Sequence, residues 1–236
     1  MTPPPVKVVA EKHGIPVAQP ESFADFTMPR MDSYDFFIVA AYAKILPRSI
    51  IEIPRLGTIG VHPSLLPKFR GASPIQGTLL NGETETGVTL YLMDEKVDHG
   101  PILATKHWPL ATNDTYEIVL QKLAGVAGDL LAETIPKFLA GEIVPQEQHH
   151  AEATFTKKFK NEDAFADPEL LAKAETEGGE PAAKIYNMIR ALNPEPGVWT
   201  LQNGKRTKLL EATMHEDRLR IVTIQREGKR PTVFKA

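Results

Sequence analysis

The stretch that decides the fold reads Gly57-Thr58-Ile59-Gly60-Val61-His62-Pro63-Ser64-Leu65-Leu66-Pro67. Its first half, residues 57–61, predicts a short strand that delivers His62 at its carboxyl end. In open α/β sheets, ligands bind beyond the carboxyl ends of the strands. His62 is therefore a better candidate for a functional residue than a polar residue in the middle of a helix.

The residues before this stretch predict alternating helices and strands. Residues 6–13 read as a helix with proline at its start and Gly14 at its end, and residues 15–17 as a brief strand. Residues 36–41 form a continuous apolar run, the pattern of a strand that is covered on both faces, and a helix is expected at 47–53. This order predicts an α/β fold with a Rossmann-like, mostly parallel sheet.

The residues after the stretch continue the alternation. A helix at 74–81 precedes a strand at 87–93, in which β-branched and aromatic residues are concentrated. A polar loop at 94–100 leads into a further strand that begins at 101–104. The clearest helix is 114–139, where apolar residues recur at spacings of three and four, so we expect one face of it to pack on the core.

The character of the chain changes beyond Gly141. Residues 145–156 are polar without periodicity and read as a linker, and the adjacent His149 and His150 read as part of a solvated loop. A metal site is the less favoured alternative there, because neighbouring side chains diverge and no cysteine or carboxylate is suitably spaced.

The last part of the chain predicts a small β domain. A helix at 181–192 is followed by strands at 198–201, 208–210 and 218–224, and Asn203-Gly204 supplies a hairpin turn. Short strands with turns between them suggest a small, OB-like barrel. We therefore place one domain at 1–150 and a second at 151–236.

Composition excludes several classes of protein. Of the 236 residues, 42% are hydrophobic and 24% charged, which is typical of globular domains. There is no cysteine, so disulfides, thiolate zinc sites and cysteine nucleophiles are excluded. The formal net charge of -3 gives no overall attraction to nucleic acid, so any RNA contact needs a local basic surface. Neither a membrane span nor a secretion signal is indicated, and the cytoplasm is the expected location.

His62 and Asp98 are the candidate catalytic pair, since each follows a predicted strand. A histidine can take up and return protons near neutral pH, and a carboxylate orients the ring and stabilises its cation. By itself this pattern is weak, because a histidine beside a strand is more often structural.

The motifs around this pair resemble the folate-dependent formyltransferase family. The resemblance is carried by His62-Pro63-Ser64-Leu65-Leu66-Pro67, by Gly87-Val88-Thr89 with Met93-Asp94, and by Asp98-His99-Gly100-Pro101. It implies the formyltransferase fold, with 10-formyltetrahydrofolate as formyl donor and no metal. It also implies that His62 and Asp98 are catalytic and that Ser64, Leu65, Leu66, Pro67 and Asp94 bind the folate.

Other segments resemble the methionyl-tRNA branch of that family. They are residues 41–47, residues 70–76 and the segment Arg190-Ala191-Leu192-Asn193-Pro194-Glu195-Pro196-Gly197-Val198-Trp199. The implied acceptor is the α-amine of methionyl-initiator-tRNA in translation initiation, and residues 151–236 would be a tRNA-binding domain of a monomeric enzyme. The alternatives are a formyltransferase for another amine, such as an amino sugar, and a catalytically silent folate- or RNA-binding homologue.

The sequence departs from the family pattern in two places. Gly60 stands where the family has an asparagine that would serve the oxyanion, and losing such a donor costs about 2.7–4 kcal/mol unless a backbone amide, a water or Gln76 replaces it. In addition, residues 2–7 correspond to an interior segment of the family, so we expect a truncated chain with weakened tRNA binding and a tendency to self-associate. A replacement basic face would comprise Lys205, Arg206, Lys208, Arg218, Arg220, Arg226, Lys229 and Arg230.

Overall fold

A computed structural model describes residues 3–21, 33–42 and 44–234, so Met1, Thr2 and Ala43, which belong to segments used above, lie outside the described residues. The helices are α1 Pro5–Lys12, α2 Arg48–Ile51, α3 Pro74–Leu80, α4 Tyr116–Leu139, α5 Pro168–Thr176 and α6 Gly179–Leu192. The strands are β1 Phe37–Ala40, β2 Thr58–His62, β3 Arg70–Gly71, β4 Glu85–Leu92, β5 Ile102–Pro109, β6 Phe155–Thr156, β7 Trp199–Gln202, β8 Lys205–His215, β9 Arg218–Arg226 and β10 Thr232–Val233.

Most predicted elements are present, with shifts of a few residues at their ends. The predicted strand at 15–17 is wrong, because these residues are exposed and form no strand. Pro16 has no backbone N–H to offer a sheet, which is consistent with that outcome. The helix α5 was not predicted, although Asp167 caps it by accepting hydrogen bonds from the backbone N–H groups of Glu169 and Leu170.

The first sheet has the order β1-β2-β4-β5 and is mixed. The strands β1 and β2 are parallel, whereas β4 runs antiparallel to both β2 and β5. The expectation of a mostly parallel sheet is therefore corrected within the described residues. The expected cover on both faces of β1 is also wrong among the described residues, because its residues alternate between half-buried and exposed, and an apolar run carries no information on the direction of the neighbouring strand.

The long helix α4 packs against this sheet as its periodicity predicts. Its buried positions follow one stripe at spacings of three and four: Val119, Leu123, Val126, Leu130 and Thr134. The stripe belongs to one hydrophobic core that also includes Ile59 and Val88 of the sheet and Ile185 and Ile189 of α6. The core is thus continuous from the first sheet into the helices that precede the second.

The second sheet is antiparallel, with the order β10-β9-β8-β7. Asn203 and Gly204 join β7 to β8 with φ angles of 52° and 71°, the left-handed conformation that a two-residue hairpin turn of this kind requires, so the predicted hairpin is confirmed. The strands β10 and β7 are the edges of the sheet. Across residues 3–21, 33–42 and 44–234, no helix is both long and apolar enough to cross a bilayer.

Candidate active site

The end of β2 and the loop after β4 bring His62 and Asp98 together. His62 is buried, with 5% of its surface exposed, and its Nδ1 lies 3.6 Å from Oδ2 of Asp98. Its Nε2 lies 2.9 Å from the carbonyl oxygen of Phe69. Because a carbonyl oxygen can only accept, Nε2 is the nitrogen that carries the proton in the neutral ring. The basic lone pair is therefore on Nδ1, facing the carboxylate that would stabilise the protonated ring.

The orientation of Asp98 is fixed by its backbone conformation and by two hydrogen bonds to its carboxylate. Its φ angle is 49°, a left-handed conformation that only local constraints maintain in a residue other than glycine. The hydroxyl of Tyr91 donates to Oδ1 at 2.7 Å, and the backbone N–H of Gly71 donates to Oδ2 at 2.7 Å. The second oxygen also faces His62. The carboxylate is thereby held in one orientation toward the imidazole.

Burial lowers the pKa of His62 below its ordinary value of 6.5. The nearby charge of Asp98 and the hydrogen bond to the Phe69 carbonyl oppose this shift, while the positive charge of Arg70 adds to it. The ring is therefore neutral at physiological pH and available to accept a proton.

The lowered pKa of His62 predicts how the rate of any reaction that uses His62 as a base falls at acidic pH. Since a depressed pKa keeps the ring neutral to lower pH, the midpoint of the acid-side fall in kcat/KM should lie below pH 6.5. Initial rates at subsaturating substrate across pH 5–8 would measure this. A decline that is already half complete at or above pH 6.5 would contradict the inferred environment of the ring.

The loop that carries Asp98 is held from behind by Gln148. The Gln148 amide nitrogen donates to the carbonyl oxygens of Asp98 at 3.1 Å and of Gly100 at 2.7 Å. Its amide oxygen accepts two hydrogen bonds, at 3.2 and 2.6 Å, from the buried guanidinium of Arg70. The prediction of a linker at 145–156 did not include this contact: Gln148 is buried and β6 pairs with β3, whereas His149 and His150 are exposed, as expected of a solvated loop. A polar composition did not distinguish a buried polar support from a surface loop.

Two histidines stack beside this support. The rings of His99 and His150 are parallel with centroids 4.0 Å apart, and Nδ1 of His99 lies 2.6 Å from Oδ2 of Asp94. His150 also contacts Arg70, through Nδ1 at 2.9 Å. Among the described residues, no group of three potential ligands is arranged to hold a metal ion.

A cleft of about 320 Å³ opens next to the loop of Asp98. Asp94, predicted to bind the cofactor, lines it together with Arg48, Ile51, Glu52, Met93, Glu95, Lys96 and His99. Such a cleft is large enough for one end of a flat heterocyclic ligand.

The other predicted cofactor residues, 64–67, form a turn that directly follows His62 and Pro63. Ser64 is fully buried, and its hydroxyl donates to the carbonyl oxygen of Lys68 at 2.7 Å. The hydroxyl of Thr89 bridges the turn, donating to the carbonyl oxygen of Ser64 and accepting from the backbone N–H of Leu66. Leu66 is buried, whereas Leu65 and Pro67 are half-buried. The hydroxyl of Ser64 thus stabilises the conformation of the turn.

The chain matches two family profiles. The profile described as Formyl transferase matches residues 1–135, and the profile described as Formyl transferase, C-terminal domain, matches residues 179–220. The methionyl-tRNA formyltransferase of Chloroflexus aurantiacus is 40% identical over 217 residues, covering 91% of this chain and 67% of the relative. That of Halalkalibacterium halodurans is 42% identical over 212 residues, covering 89% and 64%. The chain thus spans about two thirds of the length of these relatives.

Several solved structures share this fold, including the following three. A methionyl-tRNA formyltransferase from Clostridium thermocellum aligns with a TM-score of 0.60 and 24% identity, covering 81% of this chain and 77% of its own. HypX from Aquifex aeolicus, in complex with tetrahydrofolic acid, aligns with a TM-score of 0.63 and 18% identity over 84% and 36%. An N-formyltransferase from Helicobacter canadensis, in complex with folinic acid and dTDP-3-aminofucose, aligns with a TM-score of 0.61 and 20% identity over 87% and 70%.

Proposed function

This chain belongs to the formyl transferase family, among the methionyl-tRNA formyltransferases, and on that premise we propose that it moves a formyl group from 10-formyltetrahydrofolate to the α-amine of methionyl-initiator-tRNA. The observation that carries the proposal is the position of the unprotonated His62 Nδ1 beside the fixed carboxylate of Asp98. Formyl transfer to an amine needs a base that also returns the proton. A buried histidine with a carboxylate neighbour is suited to both steps.

The reaction proceeds by addition and elimination. The amine nitrogen attacks the formyl carbon, and as the new C–N bond forms, one amine proton passes to Nδ1 of His62. Asp98 stabilises the imidazolium across 3.6 Å. The tetrahedral adduct then collapses, its bond to the folate nitrogen breaks, and the proton is delivered to that nitrogen. The products are the formylated amine and tetrahydrofolate.

We place the folate between the 64–67 turn and the cleft lined by Asp94. His99 of the 94–100 loop lines the cleft, and Met93 and Ile51 supply apolar surface to it. A pterin ring has flat apolar faces and polar edges, which suits walls of this mixed character. Leu65 and Pro67, the half-buried members of the turn, would cover the part of the folate nearest His62.

Single-turnover formylation tests the function directly. The full chain, mixed with 10-formyltetrahydrofolate and initiator methionyl-tRNA, should yield formylmethionyl-tRNA in proportion to enzyme. Preference for an amino sugar nucleotide as acceptor would assign a different branch of the family. Binding of folate without transfer to any amine would instead identify a silent homologue, and either result would overturn the proposal.

We propose that residues 151–236 form the RNA-binding domain, with an OB-like arrangement, and that the enzyme works in the cytoplasm, where its tRNA substrate is found. Arg218 and Arg220 alternate with buried Leu219 on β9, and Lys208 lies between two buried residues of β8. These three cations therefore share the outward face of the second sheet. Arg226, by contrast, lines a cavity with Glu175.

The outward cations should contribute to tRNA affinity through phosphate contacts. Replacing Arg218 and Arg220 with alanine is expected to weaken binding about 10-fold near physiological salt, and to lower the slope of log Kd against log salt by about 1 for each contact removed. Filter binding over a range of salt concentrations measures both quantities. The Arg226→Ala variant is the matched control and should leave the slope unchanged. Equal slopes for all three proteins would contradict the assignment of this face.

A further inference from the structure

Gly60 lies directly beneath the aromatic ring of Tyr91. A Cβ atom built on Gly60 would be 2.4 Å from Cε1, 2.5 Å from Cζ and 2.8 Å from the hydroxyl oxygen of Tyr91. Real Cβ atoms do not approach ring atoms so closely, so any side chain at this position would have to displace the ring. The space that a side chain at position 60 would occupy is thus filled by Tyr91.

The pairing of the strands explains why the ring of Tyr91 lies over Gly60. In the antiparallel pair of β2 and β4, Gly60 is opposite Tyr91 and His62 is opposite Thr89. Cross-strand partners share a face, and residues two apart on one strand share it as well. Gly60, His62 and Tyr91 therefore lie on one face of the sheet, and the ring crosses from β4 to the position above β2.

The hydroxyl of Tyr91 then meets the catalytic pair. It donates to Oδ1 of Asp98 at 2.7 Å, on the carboxylate oxygen opposite the one that faces His62. Burial, followed by the charge of Asp98, raises the pKa of the Tyr91 hydroxyl far above its ordinary value, so it remains a proton donor throughout the pH range of the enzyme. Tyr91 is itself only 4% exposed.

We propose that Gly60 and Tyr91 act as a coupled pair, in which the absent side chain at position 60 admits the phenol and the phenol positions Asp98 for catalysis. This inference rests on the proposed formyl transfer and identifies a further positioning residue for it. The ring of Tyr91 fills the space above Gly60, and its one hydroxyl proton is donated to Asp98. Gln76, the substitute considered from the sequence, lies on α3, whereas Tyr91 already bonds the catalytic carboxylate.

Removing only the hydroxyl tests the positioning role. In the full chain, Tyr91→Phe should lower kcat for formylation of methionyl-tRNA about 10-fold, as expected when a hydrogen bond to a charged catalytic group is lost. The KM values for 10-formyltetrahydrofolate and for the tRNA should not change, because the hydroxyl contacts neither. Tyr116→Phe, a half-buried tyrosine at the start of α4, is the matched control and should retain full activity. An unchanged kcat in Tyr91→Phe would overturn the proposal.

Replacing the glycine tests the coupling. Gly60→Asn alone should lower kcat at least as much as Tyr91→Phe, because the new side chain drives the ring away from Asp98. In the double variant Gly60→Asn/Tyr91→Leu, the ring no longer fills the space that the asparagine needs. This double variant should be about 10-fold more active than the single variant Gly60→Asn. A gain of rate from Gly60→Asn in the native background would show that the position lacks a donor, and would overturn the coupling.

The results separate this inference from the proposed function. A native chain that transfers no formyl group to any amine counts against the function. A native chain that is active, with Tyr91→Phe and Gly60→Asn equally active, counts against the coupled pair alone. Circular dichroism melts of each variant show whether a loss of rate reflects unfolding, and the Tyr91→Phe variant, which changes one atom, keeps the test valid if the bulkier replacements do not fold.

Discussion

The His62→Ala variant is expected to lose about 10²- to 10⁴-fold in kcat for formyl transfer, which is the usual contribution of a positioned acid–base group. The variant lacks the Nδ1 lone pair that accepts the amine proton, and the Asp98 carboxylate stays held by its hydrogen bonds from Tyr91 and Gly71. The KM for the folate donor should change much less than kcat. Single-turnover formylation at saturating donor measures the chemical step.

An exposed histidine provides the control for this variant. His107 lies on β5 with 62% of its side chain exposed and faces Glu85, remote from the catalytic loop. His107→Ala should keep the native rate. If His62→Ala retained more than about a tenth of the native kcat, the proton would have to pass to another group, and the assignment of His62 as the base would be wrong.

Gln148→Leu should destabilise the chain by about 3 kcal/mol while keeping nearly the same side-chain volume. The change removes the acceptor of two hydrogen bonds from the buried Arg70 guanidinium, which is only 3% exposed, and the donor to two carbonyl oxygens of the catalytic loop. The guanidinium would keep its contact with His150 but lose both bonds to Gln148, and the two carbonyl oxygens would lose their donor, so the desolvation cost that these bonds offset would no longer be compensated. Equilibrium unfolding in urea, followed by circular dichroism, gives the free energy of unfolding.

The neighbouring Gln146 provides a closely matched comparison. Its side chain is exposed, and its amide nitrogen donates only to the carbonyl oxygen of Val144. Gln146→Leu should change the free energy of unfolding by less than about 0.5 kcal/mol. Equal losses in the two variants would mean that the bonds of Gln148 contribute little to stability, and that the loop of Asp98 is held by other contacts.

Most helices and strands could be predicted because short-range spacing determines them, although α5 was not. The stripe on α4 repeats at three and four residues, and the Asn203-Gly204 turn needs only two residues with left-handed backbone. Such signals involve residues that are only a few positions apart in the sequence. Where the local pattern was ambiguous, as at residues 15–17, the prediction was wrong, and the polar composition of residues 145–156 did not reveal the burial of Gln148.

The candidate site divides in the same way. The motif around His62 and Asp98 identified the two residues and the family, and the structure brings their side chains to 3.6 Å. It gave no indication that Gln148, 50 residues beyond Asp98, supports the same loop. Nor did it indicate the nitrogen of His62 that is protonated, because that depends on the Phe69 carbonyl.

By itself, the sequence indicated most of the elements, the family and the candidate pair of His62 and Asp98, since each is signalled by a short motif or a short-range spacing. Only the tertiary structure decided the direction of β4, the burial of Gln148 and the contact of Tyr91 with Gly60 and Asp98. Those features depend on strand pairing between distant segments, where the register alone selects the residues that face one another. In the sequence, Gly60 marks the loss of a donor side chain. In the folded chain, the ring of Tyr91 occupies the space that this side chain would need.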